Sequence, residues 1–184
     1  MALFARWRAE RDLERRAATF VRTLFVEPVA ADVEWLARVA TRGDQDHARW
    51  ELRYARRALG LIAAQRDALD DRTGASVARA LSDAFGRDQS IAAGMVETAE
   101  RQFNARLSAY HDGLVAKGGP PTSIRMGQTL LAFAGGSFRG ADDSVARGGE
   151  ILDVYLAEAN QALRASFGTA ALPEHVPPSS LAPR

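Results

Sequence analysis

A chain of 184 residues with 47% hydrophobic and 26% charged side chains has enough apolar surface for a buried core, which excludes a disordered body. Its formal net charge of +1 excludes a whole-protein electrostatic grip on DNA, and the absence of cysteine removes disulfides, thiolate nucleophiles, zinc ribbons and iron-sulfur clusters together. No run approaches the roughly 18 apolar residues of a spanning helix and no secretory signal opens the chain, so a cytoplasmic location is expected.

In chain order, Leu13, Ala17, Phe20, Val21 and Leu24 recur at three- and four-residue spacings, which predicts an amphipathic helix from Ala2 to Phe25. Its other sides carry Arg6, Arg8, Glu10, Arg11, Glu14, Arg15 and Arg16, and Phe4 and Trp7 near its start are candidate exposed anchors. Pro28 interrupts it, and a short helix with Val33, Trp35, Leu36 and Val39 runs to Gly43. Asp44 is a predicted N-cap for a third helix reaching about Leu69, with Trp50, Tyr54, Leu59, Leu61 and Ile62.

Asp70 to Gly74 reads as a polar turn before a helix with Val77, Leu81 and Phe85, which Gly86 is expected to end in the left-handed conformation. Val96, Ala99, Phe103, Leu107, Tyr110 and Leu114 then form the cleanest apolar stripe of the chain, and that helix is the predicted central element. Gly118-Gly119-Pro120-Pro121 breaks it; Thr122 or Ser123 is expected to cap a helix with Met126, Leu130, Leu131 and Phe133. A last helix from Asp142 or Asp143 carries Val145, Leu152, Leu156, Ala159 and Leu163. The expected architecture is all-α: a single-domain bundle of six or seven helices over 1–168, with a flexible, proline-rich C-terminal tail over 169–184.

Catalytic chemistry finds little footing in this pattern. A di-iron bundle needs a Glu-x-x-His pair on each of two helices, and the nearest match is Asp44-Gln45-Asp46-His47 with Glu51 one turn on; His111 is preceded three residues earlier by Ser108. Asp70-Asp71 and Asp142-Asp143 read as a turn and a cap and lack the third Asp of a magnesium cluster. There is no Gly-x-Ser-x-Gly elbow, and Gly148-Gly149 is not followed by the Lys-Ser or Lys-Thr of a phosphate loop. No enzyme, metal or cofactor is expected.

One surface invites a partner instead. Arg49, Arg53, Arg56 and Arg57 fall on one side of the third helix beside Trp50 and Tyr54, a pattern suited either to RNA phosphate or an acidic partner, or simply to a solvated face over an aromatic edge.

The order of several short motifs carries a further signal. Arg49-Trp50-Glu51-Leu52 opens a helix, Ala80-Leu81-Ser82-Asp83-Ala84-Phe85 follows, then Phe103-Asn104-Ala105-Arg106-Leu107-Ser108-Ala109-Tyr110, and finally a helix with Leu152, Tyr155 and Leu163. This order resembles the ubiquinol-cytochrome c chaperone family over roughly residues 3–165. The chain departs from that pattern at Thr41 to Asp46, where a Gly-Val-Pro-Asp-like loop is usual, at Trp50, where phenylalanine is usual, and at Phe138-Arg139-Gly140, which meets an aromatic-basic run only in part.

The resemblance implies a non-enzymatic assembly factor that attends newly made cytochrome b, at the ribosome or the inner face of the membrane, on its way into the cytochrome bc1 complex. It implies that Arg49, Trp50, Glu51, Arg106 and Tyr110 support or line a groove; Arg53 and Tyr54 join them as partner-binding candidates from the arginine side of the third helix. Two other expectations stand beside it: a helical adaptor that forms a homodimer through Phe4, Trp7 and a face of the last helix, and a ferritin-like metal-binding bundle.

Overall fold

The computed structural model describes residues 2–67, 70–137 and 142–168. The tail predicted over 169–184 and the Phe138-Arg139-Gly140 run lie outside them. The described residues form seven helices and no strand: α1 (Ala2–Leu24), α2 (Ala30–Val39), α3 (Gln45–Asp67), α4 (Asp71–Phe85), α5 (Val96–Val115), α6 (Thr122–Phe133) and α7 (Asp143–Phe167).

Local chemistry sets most of the ends. Asp44 accepts from the His47 amide at 2.9 Å, and Asp142 from Val145 at 3.0 Å, so both predicted caps supply an acceptor to a free first-turn amide. Asp70 does the same for Thr73 at 2.7 Å, which makes Asp71 to Gly74 the first turn of α4 rather than a separate turn. Three further expectations are corrected. Neither Thr122 nor Ser123 caps α6, because Pro121 occupies the N-cap position and Thr122 is already helical. Gly86 keeps a right-handed backbone at φ −62°, so α4 ends without a left-handed residue. The third correction concerns the centre of the bundle.

That centre is α3, not α5. Helix α3 packs against all six other helices, and fourteen of its residues are buried. The run Ala55, Ala58, Gly60, Ala63 and Ala64 keeps its flanks thin, so neighbours approach from every side; a β-carbon on Gly60 would collide with the Leu24 side chain from α1. By contrast α5 buries only Ala99, Phe103 and Tyr110, while Leu107 and Leu114 are half-covered at the edge of the core. Its stripe marks a helix packed on one side only.

Helices α6 and α7 meet backbone to backbone. A β-carbon on Gly127 would fall 2.0 Å from the Val145 carbonyl oxygen, and one on Gly149 2.4 Å from that of Ser123. The glycines that offered no phosphate loop thus have a packing role. Arg125 closes the connection from α5 by donating to the carbonyls of Gly113 and Ala116, end groups that the helix itself cannot satisfy.

Candidate functional site

Helix α3, the first half of α5 and the later part of the 86–95 connection together line a gap. The result is a groove of about 350 Å³. Trp50, Ile91, Met95 and Ala99 give it apolar surface, and Glu51, Tyr54, Gln102 and Arg106 give it polar groups. Of the seven residues expected to bind a partner, Trp50, Glu51, Tyr54 and Arg106 line this groove together.

The electrostatics of the groove are closed internally. Glu51 is 2% exposed, and Arg106 reaches across from α5 to donate to both its oxygens, Nε to Oε2 at 2.8 Å and Nη2 to Oε1 at 2.5 Å. This is the fork geometry that lets a buried carboxylate stay charged. Burial works against the Arg106 charge, but the hydrogen bonds and charge of Glu51 outweigh it and hold the guanidinium above its ordinary pKa. Its plane also covers the rings of Tyr54 at 5.1 Å and Phe133 at 4.5 Å. His47 Nε2 stands 3.3 Å from Glu51 Oε1 at the solvent side.

Tyr54 donates its hydroxyl to Gln102 Oε1 at 3.1 Å, a second tie between the walls. Burial raises its pKa, opposed by Arg106. Tyr110 lies beneath rather than in the groove: it is fully buried, it packs on Phe133, and burial pushes its hydroxyl far up, so it supports the wall from below.

The arginine side of α3 is neither a free basic face nor a solvated one. Arg57 is 3% exposed, donates to Asp88 at 2.9 Å and lies over Phe25 at 3.9 Å and Phe85 at 4.9 Å. Burial lowers its pKa, with Asp88 acting in opposition. Burial alone would raise Asp88, yet hydrogen bonds from Ser90 and the charge of Arg57 bring it below its ordinary value. Arg56 pairs with Glu158 at 2.7 Å and covers Tyr155, whose hydroxyl burial pushes up to about 12.

Arg53 pairs with Glu27 at 2.7 Å and lies over Trp50 at 4.9 Å, bracing that ring from outside the groove. Arg49 is paired with Asp46 at 2.5 Å one turn back and does not line the groove. Each of these four cations already has a carboxylate, so the surface lacks the unpaired charge that phosphate recognition uses.

Sequence reading missed Ile91, Met95 and Gln102. Met95 immediately precedes a strongly periodic helix, which was the available signal for an apolar side chain at a mouth. Among the described residues no group of three or more His, Asp or Glu side chains is placed to hold a metal ion; Asp44, from the nearest sequence match, is engaged as the cap of α3. No family model, curated protein or solved structure matches the chain.

Proposed function

We propose that this chain is an assembly chaperone whose α3–α5 groove shelters an apolar segment of a newly made membrane subunit, and that its client is cytochrome b. The observation that carries the reading is the groove's combination of an exposed Met95 and half-buried Trp50 and Ile91 with charges neutralised inside the protein. A membrane-spanning segment brings almost no charge of its own, and a charged surface left unpaired against it would pay heavily for desolvation. Here the Glu51–Arg106 pair meets that condition before any client arrives.

The volume suits anchor side chains of one helix face, the way an amphipathic or apolar helix docks by residues three and four apart. Tyr54 and Gln102 offer hydrogen-bonding groups at the groove for a polar side chain or a frayed helix end. The order of motifs from Arg49 to Tyr110 supplies the identity of the client, and α3 and α5, which contain most of them, are the two walls.

Ribosomes carrying arrested cytochrome b chains test the proposal when sedimented with the purified full-length protein. Retention on these and not on ribosomes bearing a soluble nascent chain is expected, with loss of retention in Met95→Asp. Equal retention on both, or none on either, would contradict it.

A further inference from the structure

The start of α1 carries a second surface, unrelated to the groove. Phe4 is 68% and Trp7 54% exposed, and among the described side chains of the helix the first that is fully buried is Ala17. At 1.5 Å per residue Phe4 stands about 20 Å further along the helix than Ala17. The core-facing line of α1 is Leu13, Ala17, Phe20, Val21 and Leu24; a second line, exposed throughout and again at spacings of three and four, is Phe4, Trp7, Arg11, Arg15, Ala18 and Arg22. Two rings at the tip are therefore followed by a row of guanidinium groups on the same outward face.

Charge on this helix is one-sided. Between Phe4 and Arg22 six arginines stand against three carboxylates, and one of those, Asp12, is paired with both Arg15 and Arg16. Arg11 lies over the Trp7 ring at 4.5 Å, joining cation and aromatic in one patch. Further along, the row opens into a shallow groove of about 720 Å³ between α1 and α4, to which α4's end adds Arg87. The Asp88 carboxylate there is already held by Arg57.

We infer that the outward face of α1 docks on an anionic phospholipid bilayer, with Phe4 and Trp7 entering the headgroup boundary and the arginines lying against lipid phosphates. Tryptophan and phenylalanine beside arginine are what a helix needs to lie on such a surface. Phe4, Trp7 and Arg11 all stand exposed, which suits a flat bilayer better than an acidic peptide that would seek a walled cleft. Two rings without a lipid chain make the association reversible and dependent on charge. The groove reading and this one are independent.

Sedimentation of the full-length protein with vesicles tests it, using phosphatidylcholine alone and phosphatidylcholine mixed with phosphatidylglycerol. Partition onto the anionic vesicles should exceed that onto the neutral ones by about tenfold or more, and should vanish near 1 M salt, where screening acts within about 3 Å. Phe4→Ser with Trp7→Ser, and separately Arg11→Glu with Arg22→Glu, should each reduce it about tenfold with unchanged helicity and melting temperature. The groove variant Met95→Asp should partition like the parent. Equal partition onto both vesicle types, none onto either, parent-like partition of both α1 variants, or capture of nucleic acid or acidic polypeptide without vesicle binding would overturn the inference.

Discussion

Helices α3 and α5 form the two walls of the groove, yet they are built on opposite plans. Helix α5 shows a clean apolar stripe and turns out to be covered on one side only. Helix α3 shows arginines, small residues and scattered aromatics, and it is surrounded by every other helix. An apolar stripe shows that a helix is covered on at least one side, not that the helix is central. Every residue of α3 from Tyr54 to Ala64 is buried, and where its long polar side chains are buried they need partners from elsewhere in the chain.

The largest expected effect that sharpens this contrast comes from orphaning a buried α3 cation. Asp88→Ala leaves Arg57 buried without its carboxylate and should cost about 3–5 kcal/mol in urea unfolding. A loss below about 1 kcal/mol would mean that the aromatic rings around Arg57 suffice to hold it. Next in size, Leu59→Ala in α3 should cost about 2–5 kcal/mol, whereas Leu107→Ala, half-covered on α5, should cost about 1 kcal/mol. Equal losses would restore α5 to the centre.

A pH measurement addresses the α3 side from α7. Tyr155, under Arg56, has its hydroxyl raised by burial from 10.0 to about 12 in the folded protein. A raised folded pKa gives stability that is complete below the unfolded value and lost as pH rises through the folded one. Denaturation midpoints should therefore fall as pH rises from 10.0 towards 12, and Tyr155→Phe should flatten part of that fall. Tyr110, raised in the same direction on α5, accounts for a further part. A fall in Tyr155→Phe and in Tyr110→Phe identical to that of the parent would contradict the assignment. The smallest expected change is Met95→Asp, an exposed substitution at the N-cap of α5 that should raise stability by no more than about 1 kcal/mol while removing client binding.

Seven helices, most of their ends and the exposed Phe4 and Trp7 were legible because caps, prolines and spacing are local signals. The burial of Arg56 and Arg57 was not, since their carboxylates lie 102 and 31 residues away. A hint existed in the alanines and glycine that thin α3 between Ala55 and Ala64, a composition that admits neighbours on all sides. Of the residues expected to support or line a groove, Trp50, Glu51, Tyr54 and Arg106 share one, Tyr110 lies beneath its wall, and Arg49 points away from it. Arg49 turns to Asp46 on its own helix, and Tyr110 follows α5's core-facing line under the wall. Its apolar edge, Ile91 and Met95, belongs to a connection whose path only tertiary packing determines.

Site-specific photocrosslinking tests the groove most directly, with a photoreactive residue placed at Met95 and, as a control, at Val154, an equally exposed apolar position on α7. Adducts with cytochrome b from position 95 and not from position 154 are the expected result. Equal adducts from both positions, or client adducts from position 154 alone, would contradict a client-binding groove between α3 and α5.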